Sequence, residues 1–304
     1  MATPLAPIAL FVYRRLGHTQ RTLEALAGNE GAANSDLIVF SDGPRIADPD
    51  SNVAAVRRYV RGVTGFRSVT IVEREQNCGL GNSIIQGVTQ VLREHDRVIV
   101  VEDDLLTSPF FLRFMNEALA YYEHDDRVAS IHGYVYPVEH PLPETFFLRG
   151  ADCWGWACWP RSWRLFDPDG RHLMSELRRR RLTRAFDLDG AYKFTKMLEG
   201  QISGANDSWA VRWHASAFLQ DKLTLYPGRS LVHNAGNDLS GSHSVDTSIY
   251  DVELSPAPIQ VGGVPVEESR AGRAAFIAFM RRSASWRNPR RLLSHLIGRL
   301  ARRT

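Results

Sequence analysis

Three consecutive carboxylates, Glu102-Asp103-Asp104, follow directly on the apolar run Val98-Ile99-Val100-Val101. Ending a buried strand with three acids is costly unless positive charge sits beside them, because each carboxylate opposes the ionisation of the next. A divalent ion and a pyrophosphate together meet that need. Hard carboxylate oxygens hold Mg²⁺ or Mn²⁺, and the ion offsets the repulsion between carboxylates and phosphate oxygens. The tip of a strand in an open α/β sheet is also where such sheets bind ligands. A solvated acidic turn leading into the helix expected near Ser108-Pro109 is the plainer alternative.

The elements that must carry these acids are legible in the alternation around them. Apolar runs at 8–13, 37–40, 68–72 and 98–101 read as strands, and amphipathic stretches at 19–26, 53–60 and 83–92 read as the helices between them. A further helix is expected over 110–122 and a strand over 128–131. Strands alternating with helices imply right-handed βαβ units and a mostly parallel sheet flanked by helices. The chain has 304 residues, 44% hydrophobic and 23% charged, the make-up of an ordinary globular protein. It shows no signal-peptide pattern and no apolar stretch near the roughly 20 residues that span a bilayer. Its three cysteines, Cys78, Cys153 and Cys158, match neither a zinc site nor a disulfide framework, and a reducing cytoplasm is the expected location.

Charge is unevenly placed. The whole chain carries +3, yet residues 281–304 hold eight arginines and no acid, with Leu292, Leu293, Leu296, Ile297 and Leu300 at helical spacing. A basic amphipathic helix of this kind suits an anionic membrane surface, and would make the protein peripheral at the inner face of the membrane. Docking of those leucines on the rest of the protein is the other reading. Nucleic acid is not expected as a partner, since no aromatic and basic platform accompanies the tail.

After the first strand the turn is Tyr13-Arg14-Arg15-Leu16-Gly17, which has neither a P-loop nor the Gly-rich dinucleotide fingerprint. A nucleotide on this sheet must therefore have its phosphates held by metal and side chains. The order Tyr13-Arg14-Arg15, Ser41-Asp42-Gly43, Asn77-Cys78-Gly79-Leu80-Gly81, Glu102-Asp103-Asp104 and Ser108-Pro109-Phe110-Phe111 resembles the nucleotide-sugar domain of GT-A glycosyltransferases. It is similar to family 2 bacterial sugar transferases and to N-acetylglucosaminyltransferase I. The resemblance implies a Rossmann-like GT-A fold in which Asp104 ligates the metal, Asp103 contacts ribose or sugar, and Glu102 supports both. It further implies that Asp42 accepts from a uracil N–H and that Tyr13, Arg15, Asn77 and Gly79 lie at the nucleotide sugar. A plain turn before Gly43-Pro44 is the alternative for Asp42.

Inverting transfer needs one carboxylate to take the acceptor's hydroxyl proton as the diphosphate leaves. Asp207, in Asn206-Asp207-Ser208-Trp209 after Gly204, is the candidate, placed at the start of a helix expected over 209–218. An N-cap is its structural alternative. Trp154, Gly155 and Trp156 are the expected sugar contacts, since indole faces stack on sugar C–H faces and glycine allows close backbone approach. Core filling is the alternative for at least two of the four tryptophans at 154, 156, 159 and 163. By the same resemblance, His233 or His243 in the glycine-containing segment after the base would add an imidazole ligand to the metal.

The expected layout is a nucleotide-sugar half at 1–135, an acceptor and catalytic half at 136–255, and a loop with the basic tail at 256–304. The expected function is metal-dependent, inverting hexosyl or N-acetylhexosaminyl transfer from a UDP-linked donor to a glycan or lipid-linked saccharide, in polysaccharide assembly. Two other classes compete. A nucleotidyltransferase would need a phosphate-gripping lysine in a Gly-rich first loop, whereas the only lysines are Lys193, Lys196 and Lys222. A non-catalytic carbohydrate-binding protein would explain the tryptophans and acids without turnover.

Overall fold

The structure is a computed structural model, which describes residues 4–45, 52–238 and 247–286. Four strands of the first half, β1 (Ile8–Val12), β2 (Asp36–Ser41), β3 (Ser68–Glu73) and β4 (Val98–Glu102), run parallel in the order β3-β2-β1-β4. The sheet continues through β8 (Trp156–Cys158), β6 (Val128–His132), β9 (Leu223–Pro227) and β7 (Thr145–Arg149). In this second part β8 is antiparallel to both its neighbours, β6 and β9 are parallel, and β7 closes the edge antiparallel to β9. A separate two-stranded ladder pairs β5 (Leu105–Thr107) with β10 (Val232–Asn234). The protein is thus mixed α/β with a mostly parallel eight-stranded sheet between helices, as the alternation of strands and helices implied.

The continuous apolar runs make sense because both faces of the sheet are covered. Along β1, Ile8 and Leu10 face a cluster with Leu23 and Leu26, while Ala9 and Phe11 face Ile84, Val88 and Trp213. Leu23 and Leu26 come from α1 (Leu16–Ala27), whose buried residues Thr19, Thr22, Leu23 and Leu26 recur at helical spacing. Ile84 and Val88 come from α3 (Leu80–Glu94), which covers the opposite face with α9 (Trp209–Leu219). The first half also has α2 (Asn52–Val60) and α4 (Phe111–Tyr121), and the second half adds α5 (Pro160–Trp163), α6 (Gly170–Arg179), α7 (Thr183–Phe186), α8 (Phe194–Ile202) and α10 (Arg270–Trp286). Among the described residues, no helix is long and apolar enough to cross a membrane. The leucine-bearing basic stretch at 290–303, and its expected membrane contact, lie outside the described residues.

One feature of the topology positions the site. The chain leaves β1 towards β2 and β3, then returns to place β4 on the other side of β1. Open α/β sheets bind ligands at such a reversal of strand order, outside the carboxyl ends of the strands. Here those ends are Tyr13-Arg14-Arg15 after β1 and Glu102-Asp103-Asp104 at and after β4, with Phe11 directly opposite Glu102.

Candidate active site

A cavity of about 530 Å³ opens at this reversal point. Tyr13, Arg15, Asp42, Asn77, Gly79 and the three acids line it, and so do Trp154 and Asp207 from the second half. Residues far apart in sequence are therefore brought to one site.

Arg15 turns back from the end of β1 onto the acids, and its Nη2 donates to both Asp103 Oδ1 and Asp104 Oδ2, the latter at 2.7 Å. The side chains of Arg15, Asp103 and Asp104 are only 18%, 7% and 15% exposed, so this charge cluster is largely out of water. Burial works against the guanidinium's charge, but the combined pull of Asp103 and Asp104 outweighs it and holds Arg15 above its ordinary value. Burial pushes Glu102 up to about 8, helped by the charges of Asp104 and Asp103. It also pushes Asp103 up to about 6, against the opposing charge of Arg15. Arg15 Nη1 is buried without a hydrogen-bond partner among the described residues.

The segment after β10 closes over Asp104. Its amide Ala235 N–H donates to the Asp104 carbonyl at 2.8 Å, and a Cβ at Gly236 would stand 2.1 Å from Asp104 Oδ2. A side chain at 236 would have to displace the Asp104 carboxylate. Asn234 and Gly236 both line the cavity.

Asp42 lines the cavity but faces its own chain. Its Oδ1 accepts from Gly43 N and Cys78 N, and its Oδ2 from Asn77 Nδ2 and Gly79 N, all at 3.0 Å. A carboxylate offers about four lone-pair directions. All four are taken, so the uracil N–H expected to meet Asp42 has no lone pair to use in this arrangement. Asp42 instead fixes the loop 77–79, bringing Asn77 and Gly79 to the cavity wall.

At the start of α9 the capping role falls on Ser208, whose hydroxyl accepts from Val211 N at 3.3 Å. Asp207, one residue earlier, lines the cavity and lies beside Gly79 and Gly81. The N-cap alternative for Asp207 is thus taken by its neighbour.

The two tryptophans around Gly155 part company. Trp154 lines the cavity, edge-on to Tyr134 at 4.8 Å and to Tyr250 at 5.7 Å. Trp156 is 0% exposed in β8 and packs against Trp163, Trp209 and Trp213 behind the sheet. Expected as a sugar contact, Trp156 is core instead, because alternation along the strand turns it away from the cavity. Gly155, likewise expected at the ligand, is not in the cavity wall; its missing side chain makes room for Val232 and Phe111, which a Cβ would meet at 2.8 and 3.3 Å.

His233 pairs with Leu106 in the β5–β10 ladder and does not line the cavity. His243 lies outside the described residues. Among the described residues, no group of three or more His, Cys, Asp and Glu side chains converges as a metal site. The Asp103 and Asp104 oxygens are of the type that a hard divalent ion takes. Arg15 already bridges them, so an ion and the guanidinium cannot both hold the same two oxygens. The fit is therefore conditional on Arg15 turning away, towards an anion that would use its unpartnered Nη1.

Sequence reasoning passed over Asp152, Tyr136, Tyr192 and Tyr226, which form a second arm of the same cavity. Asp152 stands two residues before Trp154, a lone carboxylate that carries no spacing signal.

No protein-family model and no curated protein sequence matches the chain. Among solved structures, the mannosyltransferase PcManGT from Pyrobaculum calidifontis, in complex with GDP-Man and Mn²⁺, is similar at 17% identity and a TM-score of 0.33, over 44% of this chain and 36% of that one. S. aureus TarS is similar at 14% identity and a TM-score of 0.33, over 48% and 24%. A protein described as a candidate nucleotide-diphospho-sugar transferase from Desulfovibrio desulfuricans G20 is similar at 14% identity and a TM-score of 0.35, over 54% and 68%. The chain thus spans about a third of the length of PcManGT and a quarter of that of TarS.

Proposed function

We propose that this protein is a GT-A glycosyltransferase, moving a sugar from a nucleotide-sugar donor to a hydroxyl of a glycan or lipid-linked saccharide with inversion. One observation carries the reading: a single cavity joins buried acids and a guanidinium at the strand-order reversal to a separate carboxylate, Asp207, on the second half of the chain. Neither a nucleotidyltransferase nor a passive lectin accounts for both ends.

In this reading the diphosphate lies at the tips of β1 and β4. Arg15 turns from Asp103 and Asp104 to the phosphate oxygens, supplying charge-assisted hydrogen bonds where negative charge develops on the leaving group. Asp104, with Asp103 beside it, would hold Mn²⁺ or Mg²⁺, whose charge stabilises the departing diphosphate. Asp207 accepts the proton of the acceptor hydroxyl as that oxygen bonds to the anomeric carbon. Trp154 covers the reacting ring and keeps water from intercepting the sugar. The base is not assigned, because the uridine expectation rested on Asp42, whose oxygens are engaged.

Calorimetric titration of UDP and GDP, with and without Mn²⁺, tests the donor site. Binding of a nucleoside diphosphate that is lost in Asp104→Ala is the expected result. No binding of either nucleotide under any condition would leave the carbohydrate-binding alternative in its place.

A further inference from the structure

The second arm of the cavity runs from Trp154 to the walls made by β7, β9, α8 and α10. Tyr136, Tyr192, Phe194, Tyr226 and Phe276 present aromatic rings to it, and Asp152 is the carboxylate set among them. Asp152 Oδ1 accepts from Cys153 N at 2.8 Å, and its Oδ2 is 3.4 Å from the Tyr226 hydroxyl, which donates to it. The Cys153 thiol is hydrogen-bonded to the same carboxylate, which leaves about one of its four lone-pair directions without a protein donor among the described residues.

Among the described residues, no arginine or lysine pairs with this carboxylate. Its one ion-pair contact among the described residues is His132, at 3.7 Å. His132 is 0% exposed, neither of its ring nitrogens has a hydrogen-bond partner among the described residues, and burial pushes it below its ordinary value, so it stays neutral at pH 7. The arginine of this arm, Arg149, is committed elsewhere: it pairs with Asp221 at 2.8 Å and its guanidinium lies over the Phe218 ring. A carboxylate with a spare lone pair, walled by rings and paired with no arginine or lysine among the described residues, is stabilised by polar hydrogens brought in by a ligand. Ring faces beside it suit the C–H face of a pyranose.

We infer that Asp152 and the aromatic arm form a saccharide subsite, in which the Asp152 carboxylate accepts hydrogen bonds from hydroxyls of the acceptor while an adjoining ring face supports its apolar side. The assignment to acceptor rather than donor rests on the transferase reading and on position. Asp152 neighbours the acidic motif without belonging to it: the Cys153 thiol lies within the field of Asp152, Glu102 and Asp104 alike. The walls of the arm come from the second half of the chain, not from the strand tips at which the phosphates are placed.

Saturation-transfer NMR with the methyl glycosides of glucose, galactose, mannose, N-acetylglucosamine and glucosamine tests the subsite. The samples are wild-type, Asp152→Asn and Asp152→Ala protein, with UDP and GDP titrated in parallel. Asparagine keeps an oxygen for Cys153 N, so Asp152→Asn retains the local fold. The expected result is saturation transfer to at least one neutral glycoside, an affinity about tenfold or more weaker in Asp152→Ala, and unchanged nucleotide affinity in both variants. Saturation transfer to no glycoside, or equal glycoside affinity in all three proteins, would overturn the subsite. A preference for the glucosamine glycoside of tenfold or more over neutral sugars would overturn it in favour of an ammonium site. Loss of nucleotide affinity in Asp152→Asn would move the residue to the donor and overturn the acceptor assignment. Absence of nucleotide binding in wild-type protein would sink the transferase reading alone, since the glycoside signals are read independently.

Discussion

Replacing Arg15 with alanine removes the cation that two buried carboxylates share, and the consequence can be worked out in sign and size. Breaking a buried pair by deleting one partner costs on the order of 3–5 kcal/mol, because the other charge is left without compensation. With unfolding entropy of about 2.1 cal/mol/K per residue, 304 residues give roughly 0.6 kcal/mol/K, so Arg15→Ala should lower Tm by about 5–8 °C near pH 8. The pH dependence follows from Glu102 and Asp103, whose folded values are raised to about 8 and about 6. A raised carboxylate binds its proton more tightly in the folded state, so stability from these groups is present at low pH and declines as pH rises from about 4 to about 8. Arg15 lowers both, so its loss raises them further and steepens that decline. The Tm gap between the variant and the wild-type protein should therefore narrow on acidification to pH 5. Differential scanning calorimetry from pH 5 to 8.5 reads both effects. A gap under 1 °C at pH 8, or one that widens towards pH 5, would refute the reasoning. In the same variant, the vacated oxygens should bind Mn²⁺ about tenfold or more tightly than in the wild-type protein without nucleotide.

Asp207→Asn should lower transfer by a factor of about 10² to 10⁴ with nucleotide affinity and Tm unchanged, as steady-state kinetics and calorimetry would show. Ser208→Ala should do the reverse, costing about 1 kcal/mol of stability through the lost cap while the chemical step keeps its rate. Asp42→Asn turns one acceptor oxygen into a donor facing other donors; denaturant unfolding should show a loss on the order of 2–4 kcal/mol, and nucleotide affinity should fall as the loop 77–79 loosens. Trp156→Ala should cost roughly 3–5 kcal/mol as a core cavity, whereas Trp154→Ala should cost less stability and more glycoside affinity.

The first half was readable because its signals are local. Period, length and flanking turns mark β1 to β4 and their helices, and the acids sit at a strand end that the pattern itself defines. The resemblance implies a place for Arg15 at a nucleotide sugar, yet its bridge to Asp103 and Asp104 is not visible in the sequence, since 88 and 89 residues of chain separate the partners. The saturation of Asp42 was hidden for the same reason: its partners are backbone amides of a loop folded back from residues 77–79. Trp154 and Trp156 look alike in sequence and are told apart only by which face of β8 the chain presents after Gly155. In the second half, β7 reads as five consecutive buried or nearly buried residues without alternation, a pattern a buried helix segment shares. The aromatic arm, assembled from four elements, left no spacing for a sequence to display.

The three residues of β8 have a mechanical consequence. Trp156–Cys158 alone bridge β4 to β6, with Ile99 and Ile131 meeting Ala157 from either side. The parallel strands β3-β2-β1-β4 and the strands β6-β9-β7 are thus sewn into one hydrogen-bonded fabric by a single short stitch. A fragment ending at residue 135 would leave the flat, apolar edge of β4 open, an invitation to pair with other chains. Expressing the two sides of this stitch as separate chains should accordingly yield aggregate.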